Sequence, residues 1–315
     1  MSSRVAYSFA AILIFVNVTV VAALPPPLQP GDRLAVAFPS GVLRQEEPFW
    51  QGVACWQAQG YEVIVDEAAF AGWGYLAGSD QQRRDRLRHL LQDDSIKGIL
   101  CGRGGFGATR LLEQWQWPSA PPKWLIGFSD ITALLWSYAA QGVAGVHGPV
   151  LTTLAQEPLW TQQRLFDLVQ GKSLDPLWGS GWGGGVVQGR LLVGNLTVAT
   201  HLLATPDCPP LENVILALED VAEAPYRIDR MLTQWRRSGA LYQIKGIALG
   251  RFSRCEDATM EPNFRLIEVL SDRLGDLGIP IVSDLPFGHE GVNAALPVGV
   301  AAELDGDRGS LQVLL

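Results

Sequence analysis

Histidine and cysteine are both scarce in this chain, with four of each among 315 residues. Cys55, Cys101, Cys208 and Cys255 lie far apart, with no C-x-x-C pair and no Cys/His ligand spacing. That pattern excludes a disulfide framework and predicts separate, mostly buried thiols and no metal site. Charge is sparse as well: charged residues are 18% of the chain, and 24 Lys and Arg face 32 Asp and Glu, for a formal net charge of −8. Such a chain is not built to hold nucleic acid, whose phosphates require a basic surface. One or two local cations still suffice for a small anionic substrate. Apolar residues at 48% exclude intrinsic disorder, and the length supports one large or two ordinary domains. No internal repeat is present.

One long apolar run stands out, from Phe9 to Leu24, interrupted by Asn17 and Thr19 and followed by Pro25-Pro26-Pro27. Arg4 precedes it, and Val21-Ala22-Ala23 supplies small residues of the kind found at cleavage sites. The run is short for a membrane span and suits the core of a signal peptide. Residues 1–27 are therefore expected to be a leader that directs export or tethers the protein to a membrane. The competing readings are an uncleaved anchor and a mis-called upstream start on a cytoplasmic protein.

From residue 32 the pattern alternates strand and helix. Apolar runs at Leu34–Phe38, Tyr61–Val65, Ile96–Cys101, Trp124–Ile126 and Val143–Val146 read as buried parallel strands. A helix is predicted over 46–58, ending at Gly60. Ser79-Asp80-Gln81-Gln82 has the form of a capping box opening a second helix, whose arginines (Arg83, Arg84, Arg86, Arg88) are expected on its solvated face. This βαβ rhythm predicts an open parallel sheet over residues 28–150 with helices on both faces. Sites in such sheets lie beyond the carboxyl ends of the strands, where Ser40, Gly102 to Gly107 and Ser129 gather. The rhythm breaks over 151–186, and the glycine-dense stretch Gly179–Gly185 is expected to be linker. Residues 187–315 read as a mixed α/β domain: strands at 187–193, 214–218 and 247–249, helices near 226–236 and 262–275, and a hairpin from 301 to 315.

The chemistry concentrates at Leu125-Ile126-Gly127-Phe128-Ser129-Asp130-Ile131-Thr132. An apolar run stops at a glycine, a serine follows, and the helix-compatible Ala133-Leu134-Leu135-Trp136 begins. Hydrolases use such a strand–turn–helix element to expose a nucleophile and to aim the next backbone N–H at an oxyanion. The usual elbow is G-x-S-x-G; here the last position is Ile131, and Ser129 as a plain helix cap is the competing reading. A serine needs a base. His89 lies in the Arg-rich helix and His201 at helical spacing, which leaves His289, in the loop Pro286–Gly291, and His147, after a strand, both open. A carboxylate must orient that base, and Glu219-Asp220 ends the apolar run Val214–Leu218. The order Ser129, Glu219, His289 is the chain order of α/β-hydrolase triads. Glu219 and Asp220 as a helix N-cap, or as partners of Arg227 and Arg230, is the alternative. The turn Gly102-Arg103-Gly104-Gly105-Phe106-Gly107 carries G-x-G-x-x-G only out of frame and after the third strand. Close backbone approach opposite Ser129 fits it better than a dinucleotide, and no cofactor is expected.

Five blocks in order resemble the LD-carboxypeptidase family, serine peptidase family S66, which includes the microcin-C immunity peptidases. They are Gly102–Leu112, Ile126–Leu134, Gly194-Asn195-Leu196, Leu218–Val221 with Pro225–Leu232, and Gly288-His289. The resemblance runs from about residue 28 to the C-terminus. It implies a flavodoxin-like N-terminal domain and a smaller swivelling β/β/α C-terminal domain, in a homodimer. It also implies Ser129 as nucleophile, His289 as base in preference to His147, Glu219 as orienter, and an oxyanion hole from the Asp130 and Gly105 N–H groups. Asn195 and Glu223 become candidates for substrate binding; immunity-type relatives carry a lysine near Glu223, so a carboxylate there favours a murein-peptide substrate. The implied reaction releases terminal D-alanine from murein tetrapeptides. The alternatives are cleavage of peptidyl-nucleotide antibiotics and non-catalytic binding of murein peptides.

Overall fold

The computed structural model describes residues 21–66, 70–256 and 263–315. Most of the apolar leader, Arg4 included, and part of the helix expected near 262–275 lie outside them. Among the described residues no helix is long and apolar enough to cross a membrane.

The first sheet is built from short apolar runs: β1 (Arg33–Ala37), β2 (Glu62–Ile64), β3 (Ile96–Cys101), β4 (Trp124–Gly127) and β5 (Gly145–His147). All are parallel, in the order β2-β1-β3-β4-β5, the flavodoxin-like arrangement with its switch point between β1 and β3. Helix α1 (Glu46–Ala58) places Phe49, Val53 and Trp56 on one buried face, the helical spacing that drives it onto the sheet. Helix α2 (Asp80–Gln92) opens with the full reciprocal capping box between Ser79 and Gln82. Helices α3 (Ala108–Leu112) and α4 (Thr132–Ala140) follow β3 and β4. The α2 arginines divide differently from the expectation of a solvated face. Arg83 is 2% exposed and donates to the carbonyls of Pro39 and Gly107 and to Asp80. Those acceptors replace water, so burial of the cation is compensated. Arg84 is buried too, whereas Arg86 and Arg88 stay partly exposed.

The stretch 151–186 is not an unstructured linker. It carries α5 (Leu151–Leu154), α6 (Leu159–Val169) and two short strands, β6 (Leu177–Trp178) and β7 (Ser180–Gly183). Its glycines serve close packing: a Cβ at Gly179 would stand 2.1 Å from the Ser283 carbonyl oxygen, and one at Gly181 1.9 Å from that of Gly306. Only glycine allows backbone to pass backbone at that distance.

The second sheet has eight strands in the order β6-β14-β13-β8-β9-β10-β11-β7. Its centre, β8 (Val186–Asn195), β9 (Val214–Val221), β10 (Gly246–Ser253) and β11 (Ile281–Ser283), is parallel. Antiparallel strands flank it, including the C-terminal hairpin of β13 (Ala301–Asp305) and β14 (Ser310–Val313). Helices α7 (Leu196–Leu202), α8 (Pro225–Arg237) and α9 (Leu266–Leu274) complete this half. One strand crosses over: β12 (Leu296–Val298) pairs antiparallel with β5, setting Leu296 opposite His147. The segment carrying His289 is thereby drawn to the edge of the first sheet.

The described end of the apolar leader is part of the fold. Ala22 is buried, its N–H donates to Gly299 O, and the Ala23 N–H donates to Gly142 O. The Ala23 carbonyl accepts from Ala144 N–H at 2.9 Å. Cleavage after Ala23, the position the sequence suggests, would remove these bonds.

Candidate active site

Strand β4 ends at Gly127, and the chain turns through Ser129 at φ +63°. That left-handed conformation is strained for any residue with a Cβ and typifies an exposed nucleophile. A 3-10 turn over Ser129–Ile131 leads into α4, so the Asp130 N–H stands at a helix start, where amides lack helical acceptors. The Asp130 side chain locks the turn. It accepts from Ser40 Oγ at 2.5 Å and from the Ala108 N–H at 2.8 Å, tying together the loops after β1, β3 and β4. Burial raises its carboxyl above the usual range, opposed by those two bonds.

The glycine turn closes against this elbow. A Cβ on Gly104 would meet Ser129 Cβ at 2.9 Å and Oγ at 3.1 Å. The Gly104 carbonyl accepts from the Gly41 N–H at 3.2 Å, so the planar trans peptide directs the Gly105 N–H away from Gly41. Gly105, at φ +119°, lines a cavity of about 260 Å³ together with Ser129, Asp130, Asn195 and Glu223.

The second sheet supplies the base and its carboxylate. Glu219 in β9 is fully buried, and His289 Nδ1 lies 2.6 Å from its Oε2. Burial raises the Glu219 carboxyl, while the His289 hydrogen bond and charge pull it back. The loop reaches the strand because Gly288, at φ +128°, has no side chain: a Cβ there would stand 3.2 Å from Glu219 Oε2. The Gly288 N–H donates to Asn293 Oδ1, and the Asn293 N–H donates to Glu157 Oε2 at 2.8 Å. The His289 ring lies 4.8 Å from that of Phe128, the residue before Ser129. Ser129, Glu219 and His289 therefore belong to one locality.

His147, the rival base, is placed differently. It is fully buried at the end of β5 between Phe128 and Phe287, and neither ring nitrogen has a hydrogen-bond partner. Burial lowers its pKa to about 3, with the His289 charge adding to the effect. With no carboxylate on either nitrogen, it lacks the orienter a base requires. His89 is exposed on α2, and His201 lines the cavity with Nδ1 2.7 Å from Thr197 O.

Asn195 is occupied by the protein itself. It ends β8 in register with Glu219, caps α7 through Val198 N–H, and donates Nδ2 to Asp220 Oδ1 at 2.9 Å, with Glu219 Oε1 at 3.4 Å. Its own N–H donates to Thr132 Oγ1 at 3.0 Å, joining the elbow helix to the second sheet. Glu223 lines the cavity and lies 3.5 Å from Arg227. Sequence reasoning did not single out Thr132 or Thr197 as parts of this network. Among the described residues no cluster of three or more His, Cys, Asp or Glu is placed to hold a metal.

A strained serine at a strand–helix turn, beside a histidine oriented by a buried carboxylate, defines a serine hydrolase. The LD-carboxypeptidase N-terminal domain profile matches residues 34–148 and the C-terminal domain profile matches 188–304. The chain belongs to the LD-carboxypeptidase family and is a serine-type carboxypeptidase. A Synechocystis sp. protein bearing a provisional carboxypeptidase name is 59% identical over 291 residues, covering 92% of this chain and 97% of its own. The murein tetrapeptide carboxypeptidase of Pseudomonas aeruginosa is 34% identical over 296 residues, covering 89% and 92%. Among solved structures, the muramoyltetrapeptide carboxypeptidase from Oxalobacter formigenes superposes with a TM-score of 0.79 at 28% identity, covering 89% of this chain and 97% of that one. The immunity protein MccF bound to glutamyl sulfamoyl guanosine shares the fold, with a TM-score of 0.82 at 22% identity, covering 94% and 98%.

Proposed function

We propose that this enzyme hydrolyses the L,D bond of murein tetrapeptides and releases the terminal D-alanine. Ser129 Oγ attacks the scissile carbonyl while His289 takes its proton, and Glu219 holds the imidazole and stabilises its charged form. The oxyanion forms against the Asp130 and Gly105 N–H groups. His289 then protonates the departing D-alanine nitrogen, and a water activated by the same histidine releases the acyl group from Ser129. The observation that carries this reading is the 2.6 Å His289–Glu219 contact beside a serine held at φ +63°. A non-catalytic binder has no use for either.

Glu223 lines the cavity as a carboxylate and suits an ammonium group of the stem peptide. Asn195, whose amide is engaged by Asp220, supports the site from beneath and holds Glu219 in place. The deciding experiment incubates the enzyme with a murein tetrapeptide and a peptidyl-nucleotide side by side and identifies the products by mass. Release of D-alanine, abolished in Ser129→Ala, is the expected result. Cleavage of the peptidyl-nucleotide alone would assign the enzyme to the immunity type.

A further inference from the structure

The loops after β1 and β3 hold two arginines, Arg44 and Arg103, that no carboxylate among the described residues meets. Neither takes part in an ion pair among the described residues, and the charge acting on Arg103 is the like charge of Arg44. Arg103 is half-buried, so burial and its neighbour both work against its cation. Its Nη1 is fixed by the Val42 carbonyl at 2.8 Å, and the Nε–Nη2 edge has no acceptor among the described residues. That edge lies along the glycine turn. Nε stands 3.5 Å from where a Cβ of Gly41 would be, and Nη2 3.7 Å from that of Gly105. A half-buried guanidinium with an unused two-donor edge is suited to a planar oxyanion such as a carboxylate.

The reaction says where a carboxylate must go. A carboxypeptidase removes one terminal residue, so the substrate's free carboxylate lies one residue beyond the scissile carbonyl. One residue spans about 3.8 Å. The cation that reads the terminus must therefore stand within hydrogen-bond reach of a point about that far from the scissile carbonyl. Arg103 is carried by the same glycine turn as Gly105, next to the Gly104 that packs on Ser129. Other cations near the site are engaged elsewhere: Arg83 and Arg110 are held by Asp80, and Arg227 pairs with Glu223.

We propose that Arg103 grips the free terminal carboxylate of the substrate through its Nε–Nη2 edge, with Arg44 adding positive charge at the rim. Arg103 thereby makes the enzyme an exopeptidase: a peptide that continues past the scissile residue, or ends in an amide, leaves the cation unmatched. The assignment rests on the murein-peptide reading and goes beyond it by naming the residue that sets the one-residue cut.

The test compares a murein tetrapeptide with the same peptide amidated at its C-terminus, using wild type, Arg103→Gln and Arg103→Lys. The wild-type enzyme is expected to prefer the acid strongly. Arg103→Gln should reduce that acid-over-amide preference in kcat/KM by about 10²-fold, the scale of a charge-assisted bidentate contact. Arg103→Lys should retain an intermediate preference, because charge remains but the fork is lost. An Arg103→Gln enzyme that keeps the wild-type preference, or loses both activities in equal proportion, overturns the assignment; equal loss would mean that Arg103 only supports the loop. No turnover of the tetrapeptide by wild type would instead refute the murein reading, and the assignment with it.

Discussion

His289 Nδ1 meets Glu219 Oε2 at 2.6 Å, and the carboxylate it meets is fully buried. In the proposed mechanism, charge at Glu219 both fixes the tautomer of His289 and stabilises the imidazolium formed during attack. Glu219→Gln preserves shape and removes that charge. Its kcat is expected to fall by about 10²–10⁴-fold with little change in KM, on the precedent of orienting carboxylates in other triads. Steady-state kinetics on a cleaved peptide measure it, and a loss under about tenfold would mean the contact is structural.

Ser129, the proposed nucleophile, also carries a strained backbone. Ser129→Ala and Ser129→Gly should each lower activity by ~10³-fold or more. Their stabilities should differ, because glycine accepts φ +63° and alanine does not. The glycine variant is expected to be the more stable of the two by about 1 kcal/mol. Denaturant unfolding of the two proteins decides it; equal midpoints would argue against backbone strain at the elbow.

Gly104 leaves room for Ser129 and nothing more. In Gly104→Ala the new methyl would press on Ser129 Cβ at 2.9 Å and Oγ at 3.1 Å. We expect kcat to drop at least about tenfold, since small displacements of a reacting atom are costly, while KM changes less. Unchanged kcat would show that the glycine turn yields.

Acid stability tests His147. Its pKa is lowered to about 3 by burial, so between about pH 6.5 and pH 3 the unfolded chain binds a proton that the folded one does not. Its contribution to stability is complete above about pH 6.5 and is lost as pH falls toward 3. Glu219, Asp130 and Glu157, whose carboxyls are raised by burial, act oppositely and favour the fold at low pH. His147→Leu should therefore move the acid-unfolding midpoint to lower pH, relieving a penalty on the order of a few kcal/mol. It should also keep catalysis with His289 intact. An unshifted midpoint would mean that His147 finds a partner in solution.

Ala22 and Ala23 provide the last test. A chain beginning at Leu24 loses the acceptor for Ala144 N–H, a residue with no exposed surface, and two further backbone bonds. It should unfold at lower denaturant than a chain beginning at Val21, by about 1–3 kcal/mol. Equal stability would make these contacts incidental.

Local signals made much of the fold legible. Helix α1 spans the predicted 46–58, the Ser79–Gln82 capping box forms as its spacing indicates, and the strand–turn–helix at Ser129 is present. Each depends on interactions within a few residues, where periodicity and side-chain chemistry act directly. The glycine-rich stretch near Gly181 was misleading for a corresponding reason. Its glycines answer to the Gly306 backbone, which lies more than a hundred positions away.

The amino-acid sequence by itself determined the elbow, the βαβ rhythm and the spaced blocks that mark the family, because each is written in neighbouring residues. Tertiary structure decided what those residues do for one another. Ser40 reaches Asp130 across 90 positions and Glu219 reaches His289 across 70, and neither distance is encoded locally. Strand β12 pairing with β5 buried His147 without a carboxylate and brought His289 to Glu219. It also took sheet and helix packing to turn Arg83 inward as a brace and leave Arg103 without an acid among the described residues. Burial makes the difference: whether a charge or an imidazole is met by a partner or by none depends on surfaces joined only when distant strands pair.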